Sequence, residues 1–139
     1  MIRTSLSAIA FAAVVAAPAL VQAAEHTPVE IVNRHLAFGN AGKYDAMADD
    51  YAPDGVVLTA GKATRGQAAI RGMFKAMLGP GAKPSNIKPI KVWSEGEVGF
   101  VSWEMNPGTP QAVKGNDSFV VRHGKIIVQA VFIGGAPAK

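Results

Sequence analysis

The stretch Gly115–Phe132, reading GNDSFVVRHGKIIVQAVF, decides the fold. It reads as two long β-strands joined at Arg122-His123-Gly124-Lys125. Gly124 supplies the positive φ that a tight hairpin turn needs. At period two, one face carries Asp117, Phe119, Val121, Ile127, Gln129, Val131 and Ile133. The other carries Ser118, Val120, Ile126, Val128, Ala130 and Phe132. Both rows are largely apolar, so both faces are expected to be covered. Asp117 and Gln129 interrupt the first row. A carboxylate among Phe and Val side chains is costly unless it is paired or protonated. A pocket with polar lining is the expectation.

Moving upstream, Glu97–Met105 reads as the preceding strand, with Gly99, Val101, Trp103 and Met105 on one face. Asn106-Pro107-Gly108-Thr109-Pro110 is a loop. Ser94-Glu95-Gly96 makes a hairpin turn back to a strand over Ile87–Trp93, whose Pro89 marks an edge or a bulge. Gly79-Pro80-Gly81 breaks a helix over Gln67–Leu78 with apolar face Ala69, Ile70, Met73, Phe74 and Met77.

Near the start, Thr27-Pro28-Val29-Glu30 has the form of a capping box with proline in the first turn. The helix it opens runs to about Asn40, with Gly42 as a stop and an apolar stripe of Ile31, Val32, His35, Leu36 and Phe38. His35 therefore lies on the face expected to be buried. A short helix over Tyr44–Tyr51, a turn at Ala52–Gly55, a strand over Val56–Ala60 and a brief strand or loop at Ala63–Arg65 complete the order. Helix, helix, strand, helix, then four strands predicts an α+β domain: one curved, mostly antiparallel sheet wrapped around three helices.

The 139 residues suit a single domain. Residues 1–23 read as a secretory signal: Arg3, an apolar run over Leu6–Ala17, then Val21-Gln22-Ala23 with apolar and small residues at −3 and −1. Cleavage after Ala23 or Ala24 fits, and the exported compartment is periplasmic or extracellular. The alternative is a membrane anchor, but the run is shorter than the roughly 20 apolar residues a spanning helix needs. The domain is expected over 24–133 and a flexible tail over 134–139. With no cysteine, neither a disulfide nor a lipoprotein anchor is expected. The formal charge of +4 comes from scattered lysines and arginines without interleaved aromatics, which argues against nucleic acid as a partner. His26, His35 and His123 lie too far apart to suggest a zinc site, Gly61-Lys62 lacks the spacing of a phosphate loop, and Asp49-Asp50 reads as a helix end before a turn. No metal and no cofactor is expected.

This order, together with Asn40–Asp45, Tyr51–Val57, Arg65–Ile70 and Asp117–Ile126, resembles the nuclear transport factor 2-like superfamily, and within it the SnoaL-like and ketosteroid-isomerase-like proteins. The resemblance covers about His26–Ile133 and implies a cone-shaped domain whose open end is a ligand pocket. It also implies roles by position. The isomerase pattern sets an Asp base on the first strand, a Tyr on the first helix and a protonated Asp on a late strand. Thr59, His35 and Asp117 hold those positions here, and Trp103 matches a pocket aromatic. Threonine is no proton acceptor at neutral pH, so the known isomerase route is not expected.

The candidate catalytic pair is thus His35 and Asp117, with Asp117 orienting the ring. Thr59, Trp103, Phe119 and Gln129 are expected to line the substrate site. The ligand class is a small, largely apolar molecule. Two functions remain open: proton-transfer chemistry of an isomerase, dehydratase or cyclase kind, and a non-catalytic binding or assembly module on the same fold. The apolar row Phe100, Val120, Ile126, Val128 and Phe132 is expected on the outer sheet face, where it suggests a homodimer. No membrane association is expected after signal cleavage.

Overall fold

The computed structural model describes residues 26–78 and 86–134. The expected signal segment and the tail beyond Gly134 lie outside the described residues. In chain order the elements are α1 (Pro28–Asn40), α2 (Tyr44–Asp49), β1 (Tyr51–Thr59), β2 (Lys62–Arg65), α3 (Gln67–Leu78), β3 (Ile87–Glu95), β4 (Val98–Met105), β5 (Val113–Arg122) and β6 (Lys125–Ile133). The strands form one curved sheet ordered β2-β1-β6-β5-β4-β3. All neighbours are antiparallel except β1 and β6, which the long connection from β1 to β6 makes parallel. This is the α+β architecture expected from the sequence.

Capping sets the start of α1. Thr27 Oγ1 accepts from the Glu30 N–H over 3.3 Å, and Glu30 Oε2 accepts from the Thr27 N–H over 2.8 Å. The helix buries Ile31, Val32, His35, Leu36 and Gly39 against β3, β4 and β5. From α3, Ile70 and Phe74 are buried, and the helix packs on β1 and β2. The core lies between the helices and the concave sheet face, where Val57, Val101, Phe119, Val121 and Ile126 converge.

Local structure differs from the expectation in three places. First, α2 ends at Asp49 and β1 begins at Tyr51, with the register to β6 shifting between Tyr51 and Val56. Tyr51 thus leaves the helix and joins the sheet, fully buried. Second, β5 and β6 shift register between Val120 and Val121. Val120 pairs with Val128 and Val121 with Ile126, leaving Ile127 as the extra residue of a bulge. Ile126 is therefore inside at 0% exposure, not on the outer row, and Ile127 is half-buried. Strict period two fails wherever one residue is inserted. Third, Gly134, placed in the tail by sequence, donates its N–H to the Lys114 carbonyl over 2.8 Å.

The β5–β6 turn is as expected, and sharper. Both His123 and Gly124 have positive φ, 48° and 67°, the pattern of a two-residue hairpin whose twist matches its strands. Pro89 sits on the edge strand β3 beside a register shift, so both readings of that proline apply together. No described helix is long and apolar enough to cross a membrane.

Candidate functional site

A cavity of about 160 Å³ lies between α1, α3 and the concave ends of β4, β5 and β6. Its walls are mostly apolar: Leu36, Met47, Phe74, Ile87, Met105 and Val131, with Trp103. The polar side chains lining it are His35, Asp117 and Gln129. Met77 and Ile133, 66% and 56% exposed, stand at its rim and mark the way in from solvent.

Asp117 and Gln129 point inward because they follow the alternation of β5 and β6, and each is nearly buried. Their polar atoms are organised in one direction. The Tyr51 hydroxyl donates to Gln129 Oε1, and Gln129 Nε2 donates to Asp117 Oδ2 over 2.9 Å. Trp103 Nε1 donates to Asp117 Oδ1 over 3.0 Å. Both carboxyl oxygens therefore accept. Burial pushes the Asp117 carboxyl above its ordinary value, and the bonds from Trp103 and Gln129 and the nearby His35 only partly counter this. Burial also pushes the Tyr51 hydroxyl well above the ordinary tyrosine value, helped by Asp117 and Asp50, so it stays a donor.

His35 is held by an aromatic collar. The rings of Tyr51 and Phe119 meet it edge-on with centroids 5.6 Å away, and Phe74 lies at 5.9 Å. Its carboxylate neighbour differs from the expected one. Asp50 Oδ2 lies 3.8 Å from His35 Nδ1, while Asp117 is bonded to Trp103 and Gln129. Asp50 is 3% exposed, and its Oδ1 accepts from Arg34 Nε and Arg34 Nη2 over 2.9 and 2.6 Å.

The sequence-derived site is thus partly assembled. His35, Asp117, Gln129 and Trp103 meet at one cavity. Phe119 does not line it; fully buried, it lies against the His35 ring. Thr59 does not line it either. It ends β1 beside Leu58, Phe100 and Phe132, in a shallow groove on the other side of the sheet end. Sequence reasoning missed Tyr51 and Asp50. The sequence pattern places Tyr51 at the end of a helix and reads Asp49-Asp50 as a helix end before a turn. Asp49 is exposed and paired with Arg71, whereas Asp50 is buried. Nothing local distinguishes the two aspartates; the difference arises where the chain turns from α2 into β1. Among the described residues, no group of three or more His, Asp or Glu side chains is placed to hold a metal ion.

Residues 32–129 match the family model described as SnoaL-like domain. The chain belongs to the SnoaL-like domain family. The match starts within α1 and ends at Gln129, so it takes in His35, Asp50, Trp103 and Asp117. This SnoaL-like domain is similar to a candidate polyketide cyclase of Sinorhizobium meliloti at 24% identity, covering 73% of this chain and 92% of that one, with a TM-score of 0.61. A nuclear transport factor 2-like protein of unknown function from Burkholderia xenovorans is 16% identical, with coverage of 81% and 87% and a TM-score of 0.68. A candidate ketosteroid isomerase of Kribbella flavida is 15% identical, with coverage of 81% of each chain and the same TM-score. At these identities the likeness establishes a shared fold. Comparison with curated proteins returns no match.

Proposed function

We propose that this SnoaL-like domain is an exported enzyme that moves a proton on a small, single-ring, largely apolar molecule, in an isomerase-, dehydratase- or cyclase-type reaction. The observation that carries this reading is that His35 and Asp117 line one mostly apolar cavity. His35 Nε2 acts as the base, because Nδ1 is turned toward Asp50. Asp117, with its proton affinity raised by burial, donates to or accepts from the substrate's polar atom. Trp103, Gln129 and Tyr51 hold the carboxyl in place. The volume sets the substrate size: an apolar cavity of about 150 Å³ holds a benzene ring, and this one is comparable at about 160 Å³. The candidate isomerase and cyclase among the similar folds support this class of chemistry.

A second reading has its own observation. The Tyr51–Gln129–Asp117–Trp103 chain is satisfied within the protein, as a binding module would require of polar groups in its wall. The two readings separate on the fate of a bound ligand. The enzyme converts it, and His35→Gln or Asp117→Asn binds it unchanged. A binding module returns it unaltered from the unmodified protein.

Export rests on the leader-like start of the sequence. Self-association through the outer sheet face is also part of the proposal. Leu58 and Phe132 are exposed there, beside half-buried Phe100, Val120 and Val128.

A further inference from the structure

We infer that Asp50 is the positioning carboxylate of His35, accepting the Nδ1 proton and so fixing the tautomer that presents a bare Nε2 to the cavity. The inference rests on the acid–base reading of His35 and adds to it a residue that touches no substrate. It starts from two buried atoms without hydrogen-bond partners, His35 Nδ1 and Asp50 Oδ2. They face one another at 3.8 Å. Buried polar atoms in folded proteins are nearly always paired, so two such atoms in opposition are best understood together. A proton on Nδ1 makes the contact a donor facing an acceptor, which closes to an ordinary hydrogen bond of about 3 Å. A bare Nδ1 would set a lone pair against a carboxylate oxygen between two side chains that are both buried from solvent.

Asp50 is built for this role. Its Oδ1 is occupied twice by Arg34, which leaves Oδ2 as the oxygen turned to the imidazole. The guanidinium also offsets the charge that makes a buried carboxylate costly. The main chain is held as well. The Asp50 carbonyl accepts from the Ile126 N–H over 2.8 Å, and its own N–H reaches the Met47 carbonyl at 3.3 Å. The backbone at Asp50 is thereby fixed to both α2 and β6. Arg34 and His35 are consecutive on α1, so one turn of helix brings both partners to it. Tyr51, the next residue, meets the imidazole edge-on and limits its rotation. A third group that orients a base through its far nitrogen is a recurring arrangement, and replacing that carboxylate by its amide imposes the wrong tautomer.

The tautomer of His35 tests this without any substrate. It is read from the imidazole 15N shifts and long-range 1H–15N couplings of the labelled protein, at alkaline pH where imidazoles are neutral. His35→Gln identifies the signals. The expected result is the Nδ1–H form in the wild-type protein. In Asp50→Asn the amide keeps its oxygen on Arg34 and turns its NH2 to Nδ1, so the ring switches to the Nε2–H form. Arg34→Gln, which removes the ion pair and leaves the carboxylate, keeps the Nδ1–H form. An Nε2–H ring in the wild-type protein overturns the inference, and this reading stands even if Asp50→Asn fails to fold. An unchanged tautomer in Asp50→Asn, or a switched one in Arg34→Gln, overturns it too. On a converted substrate, Asp50→Asn is expected to lower kcat by about 10²-fold or more with little change in binding. An Nδ1–H ring together with an inactive cavity would sink the catalytic reading and leave the Asp50–His35 relation standing.

Discussion

The indole of Trp103 lies across Gly115, its direct partner on the neighbouring strand, and from there its Nε1 reaches Oδ1 of Asp117 at 3.0 Å. The ring takes this path because residue 115 has no side chain. A Cβ at that position would fall on the six-membered ring of the indole and against the Phe132 carbonyl. Gly115→Ala is therefore expected to displace Trp103, break its bond to Asp117 and destabilise the domain by about 1–3 kcal/mol, the usual cost of overpacking. Denaturant midpoint and tryptophan fluorescence measure both effects. A variant as stable as the parent, with unaltered emission, would show that the indole is not held there.

Asp117 gives the domain a dependence on acid pH. The folded carboxyl keeps its proton to higher pH than the unfolded one, because burial outweighs the donors Trp103 and Gln129 and the nearby His35. Below the unfolded value both states are protonated, and the group's contribution to stability is fully present. As pH rises through the folded value that contribution is lost, since the unfolded chain ionises freely and the folded one must ionise in an apolar wall. Asp117→Asn cannot ionise. Relative to this variant, the wild-type protein is expected to gain stability as pH falls through the window between the two values. Urea midpoints at a series of acid pH values read this directly, and parallel curves would contradict it.

Tyr51 is a second test of the same chain of donors. Its hydroxyl satisfies Gln129 Oε1 inside the core. Tyr51→Phe keeps the ring packing against His35 and Phe74 and leaves that oxygen unpaired, at an expected cost of about 1–3 kcal/mol. A change too small to resolve in chemical denaturation would mean that the amide finds another partner.

The outer sheet face predicts association. Phe132 is 66% exposed and sits among Leu58, Phe100 and Ala130. Light scattering at micromolar concentration is expected to give the mass of a dimer, and Phe132→Asp that of a monomer. A monomeric wild-type protein would remove this part of the account.

Much of this architecture is legible in the chain, for physical reasons. The capping box of Thr27 and Glu30 and the Gly124 turn act over a few residues, so local sequence announces them. Inward-facing Asp117 and Gln129 follow from simple alternation, which holds from Asp117 to Val120 and again from Val128. The bulge at Ile127 is not legible, because two consecutive isoleucines satisfy either phase. It exchanges which of Ile126 and Ile127 enters the core. Position-by-position likeness misled at Thr59, which lies not in the cavity wall but in the groove with Phe100 and Phe132. Asp50 was hidden for another reason. Its partner Arg34 is sixteen residues away on α1, and only the packing of α1 against the start of β1 shows that this aspartate, unlike Asp49, is buried.

The most direct measurement of the central claim is proton exchange at the α-carbon of single-ring ketones such as cyclohexanone in D2O, followed by proton NMR. Enolisation is the elementary step shared by the proposed reactions, and a ketone of this size fits the cavity. The account predicts exchange faster than buffer with the wild-type protein and a loss of about 10²-fold or more in His35→Gln and in Asp117→Asn. Exchange at the buffer rate across a set of such ketones and enones that bind the protein would contradict it, leaving a cavity that holds its ligand without acting on it.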